Sequence, residues 1–257
     1  MPGRFPFEVV NVLGVPVHAA TMSEALDAIE AAIKERRRLQ LGVVNAAKIV
    51  NMTKDRSLRE DVLSSDLVLA DGMSVVIASR VLGNPLPERI TGIDLMHGIL
   101  ERGNRMGWRV FCLGATEEVS ETVVRRIHEL YPGVVIAGRR NGYFSQSEEA
   151  EVARTIAESN ADVLFVAITS PKKENFMAKW GASLATPVIH GVGGSFDVLA
   201  GKVQRAPERW QRLGLEWLYR VKQEPRRLWK RYLFTNASFA RMLLVAWLGK
   251  VRGRESA

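Results

Sequence analysis

Cysteine is almost absent: the 257 residues hold one, Cys112. No internal disulfide can form, and its place inside the apolar run Val110 to Leu113 makes it a buried small hydrophobe suited to a reducing compartment. The four histidines (His18, His97, His128 and His190) are scattered without ligand spacing, and there is no paired-cysteine motif, which speaks against a protein-held metal. There is no Asp-x-Asp pair to carry a divalent ion on a nucleotide diphosphate. Nor is there a P-loop, a Gly-x-Gly-x-x-Gly fingerprint or a Gly-x-Ser-x-Gly elbow. The N-terminus lacks a basic stretch followed by an apolar core, so a cytoplasmic location is expected. The most apolar run of the tail, Phe239 to Leu248, is about half of the ~20 residues that a spanning helix needs, so the chain is expected to lie on a membrane rather than cross it.

What is present is an ordinary globular composition, 47% apolar and 25% charged, with a net charge of +8 distributed very unevenly. Residues 1–201 carry 22 Lys and Arg against 24 Asp and Glu, a net of −2, whereas residues 202–257 carry 14 against 4, a net of +10. Four of the six tryptophans, Trp210, Trp217, Trp229 and Trp247, share that basic tail. Cations interleaved with Trp and Tyr fit an anionic lipid surface or a nucleic acid, and a solvated basic helix is the plainer account.

Strand-like and helix-like segments alternate. Phe7 to Val17 reads as one or two short strands, and Thr21 to Glu24 is a capping box opening a helix to about Arg38. Strand Leu41 to Val44 ends at Asn45, and Ala46 to Leu63 is helical with a break near Thr53 to Asp55. Strand Leu67 to Ala70 stops at Asp71-Gly72, ahead of helices Met73 to Leu82 and Asp94 to Arg102. Further strands are expected at Trp108 to Leu113, Val134 to Ala137, Val163 to Ile168 and Val188 to His190, with helices Glu117 to Leu130, Glu148 to Ser159 and Glu174 to Leu184 between them. The pattern predicts one α/β unit, residues 1–205, with a parallel sheet and helices on both faces, and a basic helical appendage over 206–257.

Ligands in open parallel sheets bind outside the carboxyl ends of the strands, and Asp71 sits at such an end. An Asp there is equally suited to cap a helix. Gly191, Gly193 and Gly194 follow a strand directly, where backbone N–H groups can approach an anion, and Gly114 is a weaker candidate of the same type. Lys172 and Lys173 place two ammonium groups at a helix start, against the dipole, which makes sense if an anion shares the site. The parallel sheet and glycines alone would also admit a nucleotide-binding oxidoreductase, a reading weakened by the missing fingerprint.

The motifs Val43-Val44-Asn45, Ala70 to Met73, Pro87 to Asp94, Gly142-Tyr143-Phe144, Pro171 to Glu174, Gly191 to Asp197, Arg205-Ala206-Pro207 and Gly214 to Arg220 resemble, in order and spacing, the WecG/TagA/CpsF family of bacterial glycosyltransferases, glycosyltransferase family 26. The resemblance implies a Rossmann-like fold of the GT-E type. It also implies inverting transfer of a sugar, N-acetylmannosamine or its uronic acid, from a UDP-sugar to a polyprenyl-diphosphate-linked acceptor for a surface polysaccharide or teichoic acid. Glucose or glucuronic acid donors are the alternative. No cofactor or metal, self-association, no nucleic-acid partner, and a peripheral position on the anionic inner face of the plasma membrane are further implications.

By the same resemblance the catalytic base falls on Asp71. Substrate contacts fall on Asn45, Arg89, Thr91, Asp94, Lys172, Lys173 and Glu174, with Arg212 and Arg220 of the appendage facing the diphosphate. UDP contacts fall on Gly114, Tyr143, Gly191, Gly193, Gly194 and Asp197. Two positions depart from the family pattern: Val43 where Thr is usual, and Lys173 where Gln is usual. Both lie beside the expected sugar pocket, and Lys173 would suit a donor carboxylate.

Overall fold

The computed structural model describes residues 6–255, with the side chains of residues 212, 227 and 253–255 outside that description. The chain opens with an antiparallel hairpin, β1 (Val9–Val12) and β2 (Val15–His18). Leu13 at φ 53° and Gly14 at φ 81° form its two-residue turn, the paired left-handed geometry that right-twisted strands demand. After α1 (Met22–Lys34), opened by the Thr21–Glu24 capping box, come β3 (Leu39–Val44), α2 (Ala46–Met52) and α3 (Arg56–Leu63). Asp55 caps α3 by accepting from the Leu58 N–H, which is why the helical stretch breaks there. Next are β4 (Leu67–Ala70), α4 (Met73–Val81), α5 (Gly92–Met106), β5 (Arg109–Gly114), α6 (Glu117–Leu130) and β6 (Val135–Arg140). The core ends with α7 (Glu149–Glu158), β7 (Val163–Ala167), α8 (Lys172–Trp180), β8 (Val188–Gly191) and α9 (Ser195–Leu199).

Strands β3 to β8 form one parallel sheet in the order β4-β3-β8-β7-β5-β6. Parallel neighbours need crossover connections, so both faces are covered by helices. Strands β4 and β7 are buried at every residue, as that covering requires. Side-chain alternation divides the core: Val110 and Cys112 of β5 pack with Ile29 of α1, Ile99 of α5 and Val123 of α6, while Phe111 and Leu113 pack with Ile156 of α7 and Phe176 of α8. Burial pushes the Cys112 thiol up to about 12, so it is an inert core residue. The hairpin lies against β4, and His18 Nδ1 accepts from the Val68 N–H at 3.0 Å, which covers that edge of the sheet.

Several boundaries differ from the pattern-based expectation. Helix α5 starts at Gly92 rather than Asp94 because Thr91 is its cap, and it runs four residues further, to Met106, before Gly107 closes it at φ 69°. Helix α8 is displaced towards the N-terminus, starting at Lys172 and ending at Trp180, with Gly181 as its C-cap. Strand β6 continues to Arg140 because it pairs with β5 as far as Leu113. The tail is helical throughout most of its length: α10 (Glu208–Arg212), α11 (Glu216–Gln223) and the long α12 (Pro225–Glu255). Helix α12 lies against α2 and buries Phe239, with Met242 and Leu243, in the core beside the hairpin. Elsewhere it exposes Trp229, Leu233, Phe234, Leu244, Val245 and Trp247. Among the described residues no helix is long and apolar enough to cross a membrane.

Candidate active site

Strands β3, β4 and β8 end side by side, which brings Asn45, Asp71 and the Gly191 turn to one edge. The Asp71 N–H continues the β4 ladder by donating to Val44 O at 2.9 Å. Its carboxylate does not cap α4: the cap is Gly72, which offers no side chain. Instead Oδ1 accepts from the Gly92 N–H at 3.0 Å and Oδ2 accepts from Asn45 Nδ2 at 3.2 Å. The Asn45 amide cannot turn round, because its Oδ1 caps α2 by accepting from the Lys48 N–H at 3.1 Å. Gly92 is the first residue of α5, whose N–H has no partner within the helix, so it is available to a carboxylate and carries the positive end of the dipole. Asp71 therefore does not cap α4; it satisfies the first N–H of α5 from across the sheet edge, and its carboxylate is held by two donors at the strand end.

The neighbouring loop forms an ion-pair relay into the appendage. Thr91 Oγ1 donates to Asp94 Oδ2 at 2.6 Å and accepts from the Asp94 N–H at 3.1 Å. Arg205 grips the same carboxylate with both guanidinium ends, at 2.6 Å and 2.7 Å. Burial alone would raise the Asp94 carboxyl, but hydrogen bonds from Arg205 and Thr91 outweigh it and hold it below the ordinary range. Arg89 pairs with Glu216 of α11 at 3.2 Å, and Glu216 also approaches Arg205 Nε at 3.8 Å. Arg89 and Asp94, nominated for substrate, are thus joined to Glu216 and Arg205, two residues the motifs include but the site reading passes over. An acid among only four in a tail of 14 bases is the signal that would have found Glu216.

The two lysines separate. Lys172 donates to Phe144 O at 2.8 Å and lies 4.5 Å over the Phe144 ring, turned to the α7 side. Lys173 is buried, 3.5 Å from Glu174 Oε1, which Lys48 also holds at 2.8 Å. Burial, reinforced by the Lys48 charge, pushes the Lys173 ammonium down to about 8. The two ammonium groups outweigh burial at Glu174 and draw it down to about 2. Lys173 runs beneath the glycine turn: a Cβ on Gly191 would stand 3.0 Å from its Cδ, and one on Gly193 would stand 3.7 Å from its Nζ. A side chain at Gly191 would thus press on Lys173 and Met177, and the Lys173 ammonium stands beside the turn. Lys48, the third member of this cluster, was not foreseen.

At the other half of the edge, Gly114 sits at φ 128°, where a Cβ would fall 2.4 Å from the Ala167 carbonyl carbon, so β5 and β7 touch only because it is glycine. Gly142 donates to Ala115 O at 2.9 Å and brings Tyr143, 75% exposed, to the same rim. In the β8 turn the N–H groups of Val192 and Gly193 already donate to Val166 O, and that of Ser195 to Val192 O. The turn thus has fewer donors for an anion than its length suggests. Gly194 is the cap position of α9 and Asp197 lies in its first turn. Arg220 is exposed on α11, and Arg212 lies in α10 with its side chain outside the described residues. Among the described residues no three His, Cys, Asp or Glu side chains cluster as metal ligands would.

A doubly wound sheet with its polar groups gathered at the carboxyl edge defines an α/β enzyme that takes its ligand across the strand ends. The chain belongs to the glycosyl transferase WecG/TagA/CpsF family, whose profile matches residues 10–253. A Bacillus spizizenii protein is 42% identical over 175 residues, 68% of this chain and 67% of that protein. A Bacillus subtilis protein is 36% identical over 224 residues, 87% of this chain and 86% of that one. Both are called N-acetylglucosaminyldiphosphoundecaprenol N-acetyl-beta-D-mannosaminyltransferase. The chain is accordingly a glycosyltransferase, and the oxidoreductase reading is set aside.

Proposed function

We propose that this enzyme moves N-acetylmannosamine from UDP-N-acetylmannosamine to the N-acetylglucosamine of a diphosphate-linked polyprenol, with inversion and with Asp71 as general base. The observation that carries the reading is the Asp71 carboxylate, which does not cap the helix that follows it and is held by Asn45 and Gly92 at the carboxyl edge of the sheet. The names of both relatives support the sugar and the acceptor. In the reaction the acceptor oxygen attacks the anomeric carbon, the bond from that carbon to the diphosphate oxygen breaks, and the hydroxyl proton passes to Asp71. The departing UDP gains negative charge, which the Lys173 ammonium beside the glycine turn is placed to stabilise. The reaction as written needs no metal, so EDTA should leave turnover unchanged.

The exposed Trp229, Leu233, Phe234 and Trp247, in a segment with a net charge of +10, support docking of the appendage on the anionic inner face of a plasma membrane, where a polyprenol acceptor resides. Self-association belongs to the same reading and is measurable by light scattering. A uronic acid donor gains no support from the relatives, whose names give N-acetylmannosamine as the sugar moved. The test is a panel of UDP-sugars with a short-chain polyprenyl-diphosphate-N-acetylglucosamine, following UDP release. Release that needs both UDP-N-acetylmannosamine and the acceptor, and collapses in Asp71→Asn, is the expected result. Release with another hexose alone would change the donor, and no binding of UDP would sink the proposal.

A further inference from the structure

His190 is fully buried in β8, between the two halves of the edge, and the reaction described above gives it no part. Its Nε2 lies 3.0 Å from the Gly92 carbonyl. A carbonyl only accepts, so Nε2 carries the proton. Nδ1 finds no hydrogen-bond partner among the described residues, and burial, with Lys173 nearby, keeps the ring neutral. The ring stands edge-on to Phe165 with centroids 6.2 Å apart, and a Cβ on Gly92 would be 4.0 Å from its Cε1. Gly92 has no side chain by which the fold could hold it, yet its N–H is one of the two donors on Asp71.

We propose that His190 is a positioning residue for the transfer: its Nε2–H clamps Gly92 from beneath, and Gly92 in turn holds Asp71 Oδ1 at the angle needed to receive the acceptor proton. The inference rests on Asp71 being the base. A ring present only to fill space would satisfy the packing against Phe165 without a donor at that position.

The experiment uses the full-length enzyme in the UDP-release assay. His190→Leu keeps the bulk and loses the donor, and His190→Gln keeps an N–H at comparable reach. The expected result in His190→Leu is a kcat about 10- to 100-fold lower, the scale of an ångström of misplacement, with KM for the donor sugar within about twofold. His190→Gln should stay within about threefold of the parent in kcat. In an Asp71→Asn background His190→Leu should cost nothing more, because residues acting as one unit are not additive. An unchanged kcat in folded His190→Leu, an equal loss in His190→Gln, or a full further loss on top of Asp71→Asn would each overturn the proposal. If His190→Leu does not fold, His190→Met takes its place, and a folded His190→Gln with kcat down about 10-fold or more still overturns it. Should Asp71→Asn itself keep its turnover, the base assignment falls; a collapsed Asp71→Asn beside an unaffected His190→Leu removes His190 alone.

Discussion

Asp71 has two donors on its carboxylate, one of them the first N–H of α5, so its proposed role as base has to be told apart from a structural one. Asp71→Asn should lower kcat by ~10²- to 10⁴-fold, the usual worth of a general base, while UDP affinity stays close to the parent and the thermal midpoint falls only by the loss of one hydrogen bond, since the new amide NH2 faces Asn45 Nδ2 or the Gly92 N–H. Calorimetric titration with UDP and a melting curve check both halves, and a large drop in the midpoint would return Asp71 to a structural role. At the same scale, burial pushes the His190 ring down to about 4 from 6.5. Between those values the unfolded chain holds a proton that the folded chain refuses, so stability is full above about 6.5 and falls as pH drops towards 4. Burial shifts His18 and His97 the same way. The share of His190 is read from urea midpoints at pH 7 and pH 5, whose difference should shrink in His190→Gln. An identical difference in both proteins would exclude it.

At the scale of elements, the Thr91 cap and the Arg205–Asp94 and Arg89–Glu216 pairs tie α5 to the appendage. Thr91→Ala removes the cap and one of the bonds orienting Asp94, and should cost about 1 kcal/mol in urea unfolding. Glu216→Gln weakens the Arg89 and Arg205 contacts together and should cost roughly 1.5–3 kcal/mol, the range for hydrogen bonds to charged groups. Limited proteolysis is the more telling measurement for this variant. Cleavage within residues 200–207, which link the core to α10, should quicken while the core fragment persists; a cleavage pattern like the parent's would show that the relay does not hold α11 in place.

Over the whole molecule, the charge is divided between a slightly acidic core and a tail of net +10, and α12 buries Phe239 while leaving Trp229 and Phe234 outside. Removing the tail would uncover the core around Phe239, so a paired surface change, Trp229→Ser with Phe234→Ser, is the cleaner probe of membrane docking. Sedimentation with anionic vesicles should be strong for the parent at low salt and weaken as salt rises, each tail cation near the surface contributing about 1 kcal/mol. The double variant should lose most of that binding and keep its turnover on a water-soluble acceptor. Equal sedimentation of the two proteins would place the docking face elsewhere.

Local pattern determined a good deal of this protein. Apolar runs of strand length alternating with amphipathic helices specify a parallel sheet, Asp71-Gly72 at the end of one run marks its carboxyl edge, and the uneven charge sets the tail apart. The family motifs located Asp71, Asn45 and the glycine turn. Tertiary structure alone decided which groups meet. Gly92 reaches Asp71 across 21 residues and His190 reaches Gly92 across 98. Arg205 meets Asp94 across 111, and Glu216 meets Arg89 across 127. Periodicity records the face a side chain takes but not the order of strands in the sheet, and it is the placing of β8 between β3 and β7 that sets His190 beneath Gly92 and Lys173 beneath the turn. The physical reason is that each strand's local sequence is satisfied by any buried neighbour, whereas the polar contacts form only once the whole sheet has assembled.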